Sequence, residues 1–304
     1  MQIDYAAITH PGRVRKNNED SYLLDALDGS EPILNGPARA MRVGPAGFLA
    51  AVADGMGGAA AGEVASREGL AAAALNLFGH WGRSAHDKST EADLVKAIQE
   101  AVTGASHAVL RYADEDRTSR GMGSTLTLCV VWNQCAYIAQ IGDSRAYLFR
   151  KGTLRQLTQD QTLVQDMVNA GTLTLEQAKT HPHRNMITQA LGSPQPLSVA
   201  LSKVPLRRGD QLLICSDGLH GEVGDDGVAE VLSFNEAPAR ALEQLLEHAM
   251  TNGARDNVTG ILLNLADPSL PSPDQEDPPQ VLPPLAVKRP GILQKISAVF
   301  TRRA

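Results

Sequence analysis

The sequence predicts an α+β fold in which antiparallel sheets are covered by helices. Three observations carry this. Strand-like runs follow one another through tight turns; the helix-like segments come in separate blocks, not alternating one for one with strands; and the chain is long and apolar enough to bury a large core. With 304 residues and 43% hydrophobic content, most of the length fits one domain. Aromatics make up only 4%, so Ala, Val, Leu and Ile must fill the core.

Ser21 to Leu24 and Gly47 to Ala53 read as strands separated by a longer loop. Gly62 to Phe78 is alanine-rich and favours a helix. Leu94, Ile98, Ala101, Ala105 and Val109 recur at helical spacing and define a second, amphipathic helix. Strands follow at Ser124 to Val131, Cys135 to Ile141 and Ala146 to Arg150, with hairpin turns at Asn133-Gln134 and Lys151-Gly152. Gln211 to Cys215 and Val258 to Leu265 are further strands. Between them Pro238 to Met250 is a helix with Pro in its first turn and Gly253 closing it. The stretch 159–186 is polar, carries two short helical patterns around a Gly171 break, and is expected to form a surface flap.

The C-terminal part differs in composition. Eight of the seventeen prolines follow Asp267, which predicts that the globular domain spans 1–266 and that 267–287 is an extended linker. Five of the 28 basic residues and none of the 34 acidic ones follow Asp277. Within 288–304, Ile292, Leu293, Ile296, Val299 and Phe300 share one helical face, so this tail reads as a basic amphipathic helix able to lie on an anionic membrane or dock on a partner. The net charge of −6 speaks against a broad nucleic-acid surface. Cys129, Cys135 and Cys215 form no CxxC pair and lie in or beside apolar runs. They read as reduced cytosolic thiols. The first twenty residues have no apolar signal core. A cytoplasmic protein, peripheral to the inner membrane if the tail binds there, is the expectation.

The chemistry is suggested by a recurrence. Apolar strands end or begin at an acidic residue beside a small one: Asp54 in AVADGMGG, Asp143 in IGDSRAYLF, Asp217 in LICSDGL, Asp256 in ARDNVTGILL, and Glu19 with Asp20 in NNEDSYLL. A single Asp-Gly is more often a hairpin turn than a ligand. Five such positions at strand ends can instead converge on one edge, where like charges repel unless a divalent cation offsets them. Oxygen-only ligands suit Mg²⁺ or Mn²⁺. Glycine at position 55 lets the backbone approach such an ion.

These blocks in order, with VRKNNEDSYLL, GMGSTLTLCVV, LTQDQTLV and HPHRNMITQALGS, resemble the bacterial form of the protein phosphatase 2C type of metal-dependent serine/threonine phosphatase, from near the N-terminus to Ala266. The resemblance implies an α-β-β-α sandwich of two antiparallel sheets flanked by helices. It implies that Asp54 bridges two metal ions, that the Gly55 carbonyl binds one of them, and that Asp217 and Asp256 complete the other. Glu19 and Asp20 would act through metal-held waters. Asp143, with Asp217, would form a third metal site, and Arg15 would bind the substrate phosphate. The implied reaction is hydrolysis of phosphoserine and phosphothreonine by a metal-activated water. The implied partners are phosphoprotein substrates, a serine/threonine kinase and its targets, met by a monomeric enzyme.

Two departures from the family pattern stand out. Met56 occupies the place of a histidine that some relatives carry as general acid, leaving His220 as an alternative. Asp160-Gln161-Thr162 replaces the usual Asp-His-Ser at the flap entry. His181, His183 and Arg184 are expected to pack or face solvent. A phosphoprotein-binding module of weak activity and a phosphatase of small metabolites are competing readings. The complete aspartate set speaks against the first, whereas substrate choice lies in loops that sequence does not settle.

Overall fold

A computed structural model describes residues 1–28, 39–57, 61–83, 85, 89–115, 117–273 and 280–282. The N-terminal half contains β1 (Gln2–His10), β2 (Asp20–Asp25), β3 (Arg39–Arg42), β4 (Phe48–Met56), α1 (Ala61–Leu77), α2 (Glu91–Glu115), β5 (Gly123–Ser124), β6 (Leu126–Trp132), β7 (Cys135–Ile141), β8 (Arg145–Arg150) and β9 (Thr153–Gln156). The C-terminal half contains α3 (Leu163–Asn169), α4 (Leu175–Thr180), β10 (Ala200–Pro205), β11 (Asp210–Cys215), α5 (Asp217–Phe234), α6 (Pro238–Thr251), β12 (Val258–Leu265) and β13 (Gln280–Val281).

Strand alternation sets the layering. Along β4, Phe48, Ala50 and Val52 face one cluster, while Leu49, Ala51 and Ala53 face another. A strand buried on both faces reads as a continuous apolar run, which is how 48–53 appears in sequence. One sheet has the order β3-β1-β12-β11-β8-β9 and the other β13-β10-β7-β6-β4-β2, with every pair antiparallel. The middle cluster (Tyr5, Phe48, Ile138, Ile214 and Ile261 among its members) lies between the sheets. α1 and α2 cover the second sheet through Leu70, Leu77, Ile98 and Val109. α5 and α6 cover the first through Leu219, Val231, Leu242 and Leu245. Truncating one of these Leu side chains to Ala costs about 2–5 kcal/mol. This is the four-layer α-β-β-α sandwich that the family resemblance implies.

Both predicted hairpin turns use left-handed backbone, with φ of 47° and 60° at Asn133-Gln134 and 50° and 76° at Lys151-Gly152. The flap leaves after β9 and carries α3 and α4. Its neck is closed by a bridge between Thr162 and Ile187.

Six elements lacked a sequence signal. β1 and β10 mix polar with apolar residues, β3, β9 and β13 are short, and α5 contains Gly218, Gly221, Gly224 and Gly227, which depress helix propensity. α5 does break within its span, at Gly224 (φ 74°, ψ 160°).

Contacts also continue past Ala266. Leu270 joins the inter-sheet core, and the Arg208 N–H donates to the Pro271 carbonyl at 3.0 Å. β13 then pairs with β10, and the Leu282 N–H donates to the Leu201 carbonyl at 2.9 Å. Where the proline-rich segment is described, its apolar residues hold it against the domain. Residues 274–279 and 283–287 of that segment and the whole basic tail, 288–304, lie outside the described residues.

Candidate metal centre and substrate cleft

Five elements deliver carboxylates to one edge of the sandwich. Asp20 opens β2 and stands directly opposite Asp54 of β4 in the antiparallel register. Cross-strand neighbours project on the same face, so these two carboxyls are side by side. Asp143 lies in the β7–β8 turn, Asp217 is the first residue of α5, and Asp256 immediately precedes β12. Asp143, Asp217 and Asp256 line a common cleft of about 1040 Å³ whose far walls are the flap and α5.

The backbone around them is fixed by close packing. A Cβ on Gly55 would fall 2.0 Å from the Gly62 carbonyl oxygen and 2.7 Å from that of Glu19. Glycine is therefore required where β4 passes between the start of α1 and the Glu19 backbone just before β2, in addition to any approach to an ion. A Cβ on Gly218 would meet the Asn257 carbonyl at 2.1 Å, which locks Asp217 to the start of β12.

Side-chain hydrogen bonds complete the frame. The Ser216 hydroxyl donates to Asp20 Oδ2 at 2.7 Å and accepts from the Thr259 N–H at 3.1 Å. Asn257 is a hub. Its Nδ2 donates to the Pro11 and Asn17 carbonyls (3.0 and 2.9 Å), and its Oδ1 accepts from the Glu19 N–H at 2.8 Å. That ties the loop bearing Arg15, Glu19 and Asp20 to Asp256. The Asp54 N–H donates to Thr125 Oγ1 at 2.9 Å. Ser216, Asn257 and Thr259 carry no carboxylate and gave no sequence signal except their adjacency to Asp217 and Asp256.

The electrostatics of the cluster are unfavourable by themselves. Burial pushes the Asp54 carboxyl well above the usual range, and Asp20, Asp217, Asp143 and Asp256 push it further. Burial raises Asp20, Asp143 and Asp217 as well, with neighbouring carboxylates adding to each. Glu19 is raised chiefly by burial. One oxygen of Asp20 and one of Asp217 are buried without a hydrogen-bond donor. Unpartnered buried carboxylate oxygens facing other carboxylates are costly unless cations fill the space between them. The donors are all oxygen, which fits hard divalent ions. Among the described residues, no three acidic, His or Cys side chains gather into a ready single-ion cage. The carboxylates are instead spread along the groove. That suits ions which take one or two carboxylates each and keep several waters.

The remaining sequence-predicted residues fall as follows. Arg15 is exposed at the rim, and its Nη2 donates to Asp256 Oδ2 at 2.6 Å, which places the guanidinium over the carboxylate floor. Met56 follows Gly55 at the end of β4. His220 is buried and its Nε2–H donates to the Asp143 carbonyl at 3.1 Å. Burial pushes its pKa down to about 4, and its Nε2–H is engaged by that carbonyl. It positions the Asp143 turn. Gln161 holds the same turn from the flap side: its Oε1 accepts from the Gly142 N–H at 2.8 Å and its N–H donates to the Gly142 carbonyl at 2.9 Å. His181 and His183 meet at a tilt with ring centroids 5.7 Å apart and do not line the cleft, whereas Arg184 is exposed, as expected, and also lines it.

A family model described as protein phosphatase 2C matches residues 38–262. The serine/threonine protein phosphatase PstP of Mycobacterium tuberculosis is 36% identical over 267 residues, covering 88% of this chain. This chain spans 46%, about half, of that protein's length. The serine/threonine phosphatase stp of Listeria welshimeri is 30% identical over 84% of this chain and 93% of its own length. Among solved structures, that of the M. tuberculosis phosphatase PstP/Ppp superposes with a TM-score of 0.72 at 35% identity, covering 88% of this chain and all of that one. The PstP catalytic domain in complex with two manganese ions superposes with a TM-score of 0.69 at 34% identity, covering 88% of this chain and 99% of that one. Ordered motifs, a four-layer sandwich, an all-oxygen carboxylate floor and these matches agree: the chain belongs to the protein phosphatase 2C family.

Proposed function

We propose that this protein is a metal-dependent serine/threonine protein phosphatase. The observation that carries the reading is the convergence of Asp20, Asp54, Asp143, Asp217 and Asp256 from five elements at one edge of the sandwich, three of them lining the cleft, with Arg15 paired to Asp256. Asp54, the Gly55 carbonyl, Asp217 and Asp256 would hold two ions, Mn²⁺ or Mg²⁺. Asp143 with Asp217 would hold a third, and Glu19 and Asp20 would act through ordered water. When bound, such ions lower the pKa of water and offset charge on phosphoryl oxygens.

The chain's own residues do the rest. Arg15, at the rim, offers the forked donors that suit two oxygens of a phosphoryl group. Asn257 holds the Arg15 loop and Asp256 in fixed relation, so the phosphate-binding guanidinium and the carboxylate that would hold an ion keep their spacing without a search. Ser216 keeps Asp20 aimed at Asp54. The three cysteines take no part: burial raises Cys129 and Cys215 far from thiolate formation, and none lies in a CxxxxxR phosphate loop.

The substrates are phosphoproteins, and the activity opposes a serine/threonine kinase. The PstP, stp and PhpP names of its relatives support a protein substrate. Among the described residues no helix is long and apolar enough to cross a membrane. Contact with a membrane surface or a partner is assigned to the 288–304 tail. The deciding assay is phosphate release from phosphothreonine peptides with Mn²⁺, with EDTA, and in Asp256→Asn. Activity that survives either EDTA or the substitution would overturn the metal account. Deletion after Pro284 tests the tail, and unchanged membrane fractionation and partner capture would remove that assignment.

A further inference from the structure

The cleft has two walls, and each is joined to the domain through a break in regular structure. The flap departs at Asp160, just beyond β9. The α5 wall restarts at Asp225, immediately after the non-helical Gly224 (φ 74°, ψ 160°). The flap neck keeps short backbone ties, with the Gln161 N–H donating to the Gly142 carbonyl at 2.9 Å and the Thr188 N–H to the Gln161 carbonyl at 2.7 Å, so its entry depends on few bonds. One side chain reaches both breaks. Arg145, on β8 two residues beyond Asp143, donates from Nε and Nη2 to the two oxygens of Asp160 at 2.8 and 2.7 Å. Its Nη1 donates to the Tyr147 hydroxyl at 2.8 Å and lies 3.4 Å from Asp225 Oδ1. The Tyr147 hydroxyl in turn donates to Asp225 Oδ1 at 2.9 Å. Arg145 is 21% exposed and Asp160 is 16% exposed, so water competes weakly for the forked pair.

We propose that Arg145 is a positioning residue that fixes the width of the substrate cleft by tying the flap entry and the α5 break to strand β8. The inference rests on the phosphatase reading for its substrate and on the geometry alone for its mechanics. A lysine offers a single point charge in place of the fork and cannot serve Asp160, Tyr147 and Asp225 together. Loosening the two walls weakens grip on a polypeptide that must lie between them. A small aryl phosphate, which needs only the metal floor and Arg15, is affected far less.

The test uses the full chain with Mn²⁺ and two substrates, a phosphothreonine decapeptide and para-nitrophenyl phosphate. In Arg145→Lys and in Asp160→Asn, the peptide KM rises at least about tenfold while kcat stays within about threefold, the signature of lost substrate binding. Aryl phosphate kcat/KM stays within about threefold. The double variant is no worse than either single, because both remove one network. Tyr147→Phe, which loses only a hydroxyl, raises the peptide KM about threefold and keeps the test open if Arg145→Lys does not fold. Amide hydrogen exchange quickens across 159–190 and 221–228 in all three variants. Equal losses on both substrates, multiplicative losses in the double variant, or unchanged exchange in those two segments would each overturn the proposal. If the wild-type protein hydrolyses neither substrate, the phosphatase reading fails, and the exchange measurement still decides whether Arg145 ties the walls.

Discussion

The carboxylate floor and the flap are neighbours across one cleft, yet they are built by opposite means. The floor is drawn from strand ends and the first residue of a helix, locked by backbone ladders and by Ser216, Asn257 and Thr259. Its geometry is over-determined and its electrostatics are strained. The flap, 159–186, has only Thr162 and Val164 fully buried, and local hydrogen bonds and caps hold it together. Its electrostatics are relaxed and its geometry is loosely determined. The floor therefore sacrifices stability to place charge, whereas the flap holds little stability that could be lost. Substitutions of the floor's carboxylates should change chemistry and stability in opposite directions, those of the side chains that frame them should lower both, and substitutions in the flap should change neither by much unless they touch its anchorage.

The sharpest break of that comparison is Asp54→Asn. Removing an electrostatic group at the reacting centre lowers phosphate release by roughly 10³-fold or more. The same change removes one of several mutually repelling buried charges, so the metal-free variant melts higher than wild type at pH 8. A variant that loses activity and also melts lower would show that Asp54 is held by partners rather than strained by neighbours.

A pH series tests the strain without substitution. Burial and mutual repulsion raise Asp20 and Asp143 to about 8 and Asp217 to about 6, above the ordinary value near 4 of an unfolded aspartate. The folded state then binds more protons than the unfolded state between these limits, so these groups contribute most below pH 4 and lose that contribution as pH rises through 6 to 8. In EDTA, stability measured by denaturant midpoint should fall from pH 5 to pH 8. Mn²⁺ should restore most at the alkaline end, because ions bind the deprotonated carboxylates. A midpoint that rises with pH in EDTA would contradict the account.

Asn257→Ala comes next in size. It leaves the Pro11 and Asn17 carbonyls and the Glu19 N–H without their partner, a loss of about 2–3 kcal/mol in unfolding free energy. It should also raise the substrate KM, because the loop carrying Arg15 loses its tie to Asp256. A full-stability variant would show that water replaces the amide and that the floor is less determined than its hydrogen bonds indicate.

The same contrast explains what could be seen in the sequence. The floor was legible because chemistry and strand periodicity coincide there: Asp54, Asp143, Asp217 and Asp256 each interrupt an apolar run, and the ordered motifs carry the rest. Its supporting side chains were not legible, since Ser216, Asn257 and Thr259 are ordinary strand-end residues until the fold brings β1, β2 and β12 together. The strands with two buried faces, β4, β6 and β11, stood out as continuous apolar runs. β1 and β10 did not, because their alternation is diluted by polar residues, and α5 was masked by its four glycines. The role of Arg145 was hidden for another reason. Its partners Asp160 and Asp225 lie 15 and 80 residues away, and nothing local marks a side chain that acts across such a distance.

The smallest expected effect lies within the flap and tests its independence from the floor. Thr174 caps α4 through a capping box, its hydroxyl accepting from the Gln177 N–H at 3.2 Å while Gln177 Oε1 accepts from the Thr174 N–H at 2.8 Å. Thr174→Ala removes about 1 kcal/mol from that helix turn. α4 buries no residue, so the cost falls on a segment that opens without unfolding the sandwich. Hydrogen exchange should therefore quicken about fivefold at 175–180, the rate change equivalent to that energy when exchange follows local opening. The global melting temperature should move by less than about 1 °C, in contrast to the several degrees that 1 kcal/mol shifts a residue coupled to the whole fold. A fall of several degrees would mean that the flap and the floor unfold as one unit, and that the anchorage at Asp160 and Gln161 makes the flap part of the core rather than an attachment to it.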